Sequence, residues 1–217
     1  MQFHKEHLLL YAITDKGNTD NKTFLTQIKE ALEGKITMLQ LREKNLDENS
    51  FIKEAKKVKE LCHAYRVPLI INDNINVAIL SGADGVHVGI TDTPVSEIRK
   101  KTGSQLIIGA TAKTIEQAKA AEAAGADYLG VGAVFPSPTK QNAVRITRKE
   151  LHAICTSVSI PTVAIGGISL NNITELAGGG MSGAAVVSAI FAAENIKDRT
   201  SALKEAITKI INTGELT

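Results

Sequence analysis

Gly125-Ala126-Asp127-Tyr128-Leu129, with the segments on either side of it, carries the reading of the fold. Upstream, 114–124 places Ile115, Ala118, Ala121 and Ala124 on one helical face, and Gly125 is a natural helix stop. Downstream, 128–131 is short, apolar and without polar alternation, as a strand buried on both faces should be. Asp127 bridges the two. The same joint recurs at Gly82-Ala83-Asp84-Gly85-Val86, so a helix-to-strand unit is repeated along the chain.

Working outward, short apolar runs at 8–14, 38–42, 69–72, 85–88, 106–109, 162–165 and 184–187 read as further buried strands. Amphipathic segments lie between them. In 47–65, Phe51, Ile52, Ala55, Val58, Leu61, Cys62 and Tyr65 keep a helical period, while Lys53, Lys56 and Lys57 occupy much of the other face. The segment 195–211 buries Ile196, Leu203, Ile207 and Ile210 in the same way and is expected near the first strand. Strand and helix alternating about eight times predict an α/β fold, a (β/α)8 TIM barrel with little decoration, spanning 1–217 as one domain. A doubly wound open sheet is the alternative.

The 217 residues are 43% hydrophobic, enough for a sizeable core. Net charge is +2 with both signs interspersed, and aromatic residues make up 4% with no Trp. With neither a basic arm nor a base-stacking surface, no nucleic-acid partner is expected. Cys62 and Cys155 have no His or Cys at ligand spacing and read as buried thiols of a reducing compartment. The run at 8–14 is too short to span a membrane and lacks a cleavage site. A cytoplasmic protein with no membrane partner is expected.

In such a barrel, chemistry sits at the C-terminal ends of the strands. Gln40, Arg42 and Lys44 follow one another at a spacing of two, which puts all three on one side of an extended segment. Arg42 offers a fork to two phosphate oxygens and Lys44 a point charge. Exposed charges in a connecting loop would read the same. Asn72 and Asp73 end the third run, and Asp92 lies just beyond the fourth. Two carboxylates there suit one Mg²⁺ that shares substrate phosphate oxygens, while each also suits a helix start. His87, in Gly85-Val86-His87-Val88-Gly89, reads as a hydrogen-bonded barrel residue rather than a general base. Thr111 fits either the pocket floor or a cap for the next helix.

Gly166-Gly167-Ile168-Ser169 and Val187-Ser188 close the seventh and eighth runs, where barrels often bind phosphate through backbone N–H groups and the start of a following helix. The loop Phe135-Pro136-Ser137-Pro138-Thr139-Lys140 adds two hydroxyls and an ammonium, with Ser137 held extended between prolines. The inventory therefore has two anion-binding regions. One is rich in glycine and hydroxyls; the other is cationic with two carboxylates. There is no Ser/His/Asp constellation and no mid-strand lysine suited to a Schiff base. Two phosphorylated substrates, one with a metal-bound diphosphate leaving group, would explain the layout.

Taken in order, Leu10-Tyr11-Ala12-Ile13-Thr14-Asp15, Gln40-Leu41-Arg42-Glu43-Lys44, Ile70-Ile71-Asn72-Asp73, Asp84-Gly85-Val86-His87-Val88-Gly89 with Asp92, the proline loop, Ala164-Ile165-Gly166-Gly167-Ile168 and Val187-Ser188 resemble the thiamine phosphate synthase family over nearly the whole chain. The resemblance implies a TIM barrel joining a pyrimidine methyl diphosphate to a (carboxy)thiazole ethyl phosphate, with one Mg²⁺ per subunit. Thiamine phosphate and diphosphate would be the products, and a carboxylated thiazole would also lose CO2. It implies that Gln40, Leu41, Arg42, Glu43, Lys44 and Asn72 hold the pyrimidine diphosphate and that Asp73 and Asp92 ligate the metal. Thr111 and Lys140 match further diphosphate contacts, making Arg42, Lys44, Lys140 and Thr111 the catalytic set. Ser137, Pro138, Thr139, Gly167, Val187 and Ser188 match the thiazole phosphate pocket. The family's reaction is dissociative: diphosphate departs and the thiazole nitrogen captures a pyrimidine-stabilised cation.

Two departures from the family stand out. It usually has threonine where Ser137 stands and serine where Thr111 stands, which keeps both hydroxyls but shifts a methyl. A thiazole tautomerase of the same superfamily and a non-catalytic phosphate-binding barrel are the other readings, and neither needs the metal-bound diphosphate site. A homo-oligomer is left open.

Overall fold

Eight parallel strands close into a barrel in chain order: β1 (Leu10–Ile13), β2 (Met38–Leu41), β3 (Leu69–Asn72), β4 (Gly85–Val88), β5 (Ile107–Ala112), β6 (Tyr128–Gly132), β7 (Thr162–Ile165) and β8 (Ala184–Val186). The last pairs back onto the first, Leu10 opposite Ala184, so no sheet edge remains open. In this computed structural model the described residues are 2–15, 23–136 and 144–213. The TIM barrel is therefore observed, and the open sheet is excluded.

Around the strands run α1 (Phe24–Glu33), α2 (Glu48–Ala64), α3 (Ile75–Ser81), α4 (Val95–Thr102), α5 (Ile115–Ala123), α6 (Arg148–Cys155), α7 (Ser188–Phe191) and α8 (Ile196–Thr213). The side chains of Asp47, Thr114 and Thr147 accept the third backbone N–H of α2, α5 and α6, which fixes where those helices start. Between β7 and β8 the described chain makes only a 3-10 turn, Ile173–Leu176. The C-terminal helix α8 packs on α1 and reaches β1, as its apolar face requires.

The core has two parts. Leu39, Leu41, Leu69, Ile71, Val86, Leu129 and Val131 face the helices, with Ile28, Phe51, Val58, Ile98, Leu151 and Leu203 packed against them. Inside the barrel sit Leu8, Tyr11, Met38, Ile70, Ile107, Tyr128 and Val163. Strand alternation produces this division, because neighbouring residues on a strand point to opposite faces. Cys62 and Cys155 are both buried and free.

Two strands differ from the sequence reading by more than one residue. The first begins at Leu10, because Lys5–Leu8 folds into a 3-10 turn whose Leu8 closes the barrel floor. The fifth continues past Gly109 to Ala112, which places Thr111 inside a strand. Thr114 takes the helix cap, so Thr111 has no capping role.

The Gly-Ala-Asp joints are backbone clips. The Asp84 N–H donates to Leu69 O (2.9 Å), and the Leu69 N–H donates back to Asp84 Oδ2 (2.9 Å). Asp127 repeats this with Ile108, at 2.7 Å in both directions. Thr37 does the same with Leu10 through its hydroxyl, the Leu10 N–H donating at 2.8 Å. Each clip ties the start of an even strand to the start of the odd strand before it. The Asp residues also bond a side chain from an earlier helix: His63 Nε2 lies 2.8 Å from Asp84, and Arg99 Nη2 2.7 Å from Asp127.

Candidate active site

A cavity of about 270 Å³ lies among the strand ends and the loops that follow them, lined by Gln40, Arg42, Lys44, Asn72, Asp73, Asp92, Thr111, Gly167, Val187 and Ser188 among others. The two-residue spacing brings Gln40, Arg42 and Lys44 in together. The same alternation turns Leu41 away: it is fully buried in the layer between sheet and helices. Glu43 folds back, accepting from the N–H groups of Lys44 and Asn45 at 2.9 and 3.1 Å. Neither Leu41 nor Glu43 is among the residues that line the cavity. Ser137, Pro138, Thr139 and Lys140 lie outside the described residues.

The carboxylates at the mouth are not helix caps. Asn74 caps α3, accepting the Val77 N–H at 2.9 Å, which leaves Asp73 outside the helix at φ +62°. Asp92 accepts the Gly89 N–H at 2.7 Å and so braces its own loop, while Pro94 holds the cap position of α4. Lys44 Nζ sits 3.0 Å from Asp73 Oδ2, and Asn72 Nδ2 donates to Asp73 Oδ1 at 2.7 Å. Burial first, and the Asp92 charge beside it, hold the Asp73 pKa above the usual carboxylate value, against the lowering pull of Lys44. Among the described residues, no three or more His, Cys, Asp or Glu form a metal-binding group. Two hard oxygen donors whose charges repel suit Mg²⁺, which takes one or two carboxylates and fills its remaining positions with water and phosphate oxygens.

Across the cavity, Gly166 (φ +104°) and Gly167 (φ +64°) adopt left-handed conformations that favour glycine. The loop after β6 runs directly over them. Phe135 N donates to Gly166 O at 3.0 Å, and a Cβ on Gly167 would strike the Phe135 and Pro136 backbone. Asn172 Nδ2 ties back the Gly167 carbonyl at 2.9 Å. Ser188 opens α7, which is a single turn of four residues and has little dipole, so anion binding here would rest on individual N–H and O–H donors.

The floor carries a feature that the sequence reading missed. Gln40 Nε2 donates to Tyr11 Oη (2.7 Å), which bonds Tyr128 Oη (2.9 Å). Tyr128 bonds His87 Nδ1 (3.1 Å), and His87 Nε2 bonds Thr111 Oγ1 (3.1 Å). Burial pushes the His87 pKa down to about 4, so the imidazole is neutral, and burial raises both tyrosines above their usual range. His87 is thus a hydrogen-bonded barrel residue, as its sequence context suggests. The available signal was that two of the three tyrosines fall in apolar strand runs. A buried tyrosine needs a partner for its hydroxyl.

Comparisons with known proteins agree with this architecture. The family described as "Thiamine monophosphate synthase" matches residues 10–190. The chain is 43% identical over 209 residues to "Thiamine-phosphate synthase 2" of Streptococcus pneumoniae serotype 4, covering 96% of this chain and 100% of that protein. It is 47% identical over 190 residues to the "Thiamine-phosphate synthase" of Methanobrevibacter smithii, covering 88% and 90%. Among solved structures, "Thiamine phosphate pyrophosphorylase" from Pyrococcus furiosus superposes with a TM-score of 0.88 at 36% identity, covering 95% of this chain and 98% of that one. Fold, strand-end residues and relatives converge: the chain belongs to the thiamine monophosphate synthase family.

Proposed function

We propose that this chain is a transferase that joins the pyrimidine methyl group of an aminopyrimidine methyl diphosphate to a (carboxy)thiazole ethyl phosphate, using Mg²⁺. The observation that carries the reading is one cavity with two unlike sides. Arg42, Lys44, Asp73 and Asp92 follow β2, β3 and β4, whereas Gly167, Val187 and Ser188 follow β7 and β8, across β1 in the barrel order. A diphosphate and a monophosphate would then face each other with their reacting carbons and nitrogen between them.

Asp73 and Asp92 would hold the metal ion, and Mg²⁺ when bound would neutralise charge building up on the departing diphosphate. Arg42 would grip diphosphate oxygens through its fork while Lys44 adds charge. Gln40 and Asn72 would fix the pyrimidine ring, and the Thr111 hydroxyl would reach the diphosphate side. The carbon–oxygen bond breaks with its electron pair leaving on diphosphate. The thiazole nitrogen lone pair then forms the new carbon–nitrogen bond, and a carboxylated thiazole also releases its carboxyl group as CO2. Lys140 is proposed on the diphosphate and Ser137, Pro138 and Thr139 on the thiazole phosphate, because the described start of their loop passes over Gly167.

The test mixes purified protein with both substrates, with and without Mg²⁺, and follows thiamine phosphate. Mg²⁺-dependent product is expected. Its absence at micromolar enzyme would overturn the proposal. A cytoplasmic location belongs to the same reading. Among the described residues, no helix is long and apolar enough to cross a membrane.

A further inference from the structure

The buried chain Gln40–Tyr11–Tyr128–His87–Thr111 has a direction, and that direction is set by counting protons. Gln40 donates its amide N–H to Tyr11. Among the described residues the other partner of the Tyr11 hydroxyl is Tyr128 Oη, so its single proton goes there. Tyr128 has then accepted once, and its proton goes on to His87 Nδ1. A neutral imidazole with Nδ1 accepting carries its hydrogen on Nε2, which donates to Thr111 Oγ1. The Thr111 proton is left over for the cavity, which that residue lines.

The two ends of the chain are therefore linked. When Gln40 gives its N–H to Tyr11, its Oε1 remains as the acceptor for a ligand, and Thr111 remains a donor. Turning the Gln40 amide over would present an N–H to the ligand and make Tyr11 the donor to Oε1. Tyr128 would then donate to Tyr11, His87 would donate through Nδ1, and Thr111 would have to donate to His87 Nε2. Every link reverses together. A mixed state leaves a hydroxyl proton or lone pair unmatched among buried groups, which is costly.

We infer that Tyr11, Tyr128 and His87 are positioning residues that lock Gln40 as an acceptor and Thr111 as a donor, and so select an amino-bearing over an oxo-bearing pyrimidine diphosphate. An exocyclic amino group needs an acceptor, and a diphosphate oxygen needs a donor. The recorded direction satisfies both at once. An oxo group in place of the amino group would meet Gln40 Oε1 acceptor against acceptor, and reversing the chain to avoid that turns the Thr111 proton away from the diphosphate. The space for the chain is built into the strands. A Cβ on Gly109 would strike the Tyr128 hydroxyl and stand 2.5 Å from His87 Nδ1, while one on Gly130 would crowd His87 Cε1 at 3.2 Å.

This inference rests on the reaction proposed above. Its test compares the aminopyrimidine methyl diphosphate with its oxo counterpart, using kcat/KM for each and the inhibition constant of the oxo compound where it is not turned over. Tyr128→Phe cuts the chain in the middle. Tyr11 then has only Gln40 Oε1 to receive its proton, so Gln40 turns its N–H to the cavity. The amino-over-oxo preference should fall by about tenfold or more. Tyr11→Phe releases Gln40 alone and should lower the same preference while leaving the diphosphate end intact, seen as a smaller loss in kcat. Ile70→Val, inside the same barrel core but outside the cavity lining, serves as the packing control and should lower the melting temperature without moving the ratio. An unchanged ratio in whichever tyrosine variant folds would overturn the inference. A wild-type protein that makes product from neither pyrimidine would instead sink the proposed reaction.

Discussion

Carboxylates occur at both ends of this barrel, and they are treated in opposite ways. At the N-terminal end, Asp84 accepts a backbone N–H and faces His63, and Asp127 does the same with Ile108 and Arg99. Burial alone would raise the Asp84 pKa, yet the Leu69 N–H and His63 together hold it below the usual value. At the C-terminal end, Asp73 sits beside Asp92 and pairs with Lys44 at 3.0 Å, and burial keeps its pKa raised. The lower carboxylates are internally satisfied and tie strand to strand. The upper pair sets two carboxylates side by side with one lysine against one of them, like charge that a cation or a cation-bound diphosphate would relieve further. Chemistry at one face and stability at the other follows from where each chain end leaves its polar groups.

The largest effect that would break this comparison is on turnover. Asp73→Asn keeps the shape and tolerates the left-handed backbone at this position, so the fold should persist. It removes one hard anionic donor. Turnover with Mg²⁺ should fall on the order of a thousandfold, with a melting temperature close to wild type. Near-normal rates would dismiss the metal assignment. At the other face, Asp84→Ala should do the reverse. It strands the buried Leu69 N–H and should cost about 1–3 kcal/mol in urea unfolding, while kcat at 25 °C stays unchanged. A loss of kcat without loss of stability would erase the division between the faces.

The barrel was legible because apolar runs without alternation can only be strands covered on both faces, and eight of them separated by helical periods leave few folds. Two of the clips were legible too, as Gly-Ala-Asp. The third was not, since Thr37 in Lys35-Ile36-Thr37 makes the same exchange with a hydroxyl and a different helix stop. The role of Asp73 was half legible. Its sequence context fits a cap equally well, and only the next residue's capping of α3 frees it. The floor chain was out of reach because its five members come from five strands. Hydrogen bonds between Tyr11 and Tyr128 span 117 positions and depend on strand stagger that no local pattern records.

A smaller test separates the two lower joints. Arg99 spreads its guanidinium over Gly103 O, Leu106 O, Gly125 O and Asp127, whereas His63 offers Asp84 a single ring nitrogen. Arg99→Lys keeps the charge and loses the fork, so several carbonyls must turn to water. The site is partly exposed, and the expected cost is about 1 kcal/mol, or a fall of roughly 2–4 °C in melting temperature. A larger fall than for Asp84→Ala would mean that the arginine, not the carboxylate, is the chief tie at these joints.

The smallest effect is read through pH. The Asp84 pKa is lower folded than unfolded, so its contribution is fully present above the unfolded carboxylate value of about 4 and is lost as pH falls through the lower, folded value. A protonated acid still offers an oxygen to the Leu69 N–H, which makes this loss smaller than that from truncation. Urea midpoints measured from pH 6 downward should therefore decline on the acid side. Asp84→Asn, which cannot ionise, should start lower at pH 6 and decline less steeply. Parallel curves for the two proteins would show that the acid sensitivity arises elsewhere, and that the lower carboxylates stabilise by shape rather than by charge.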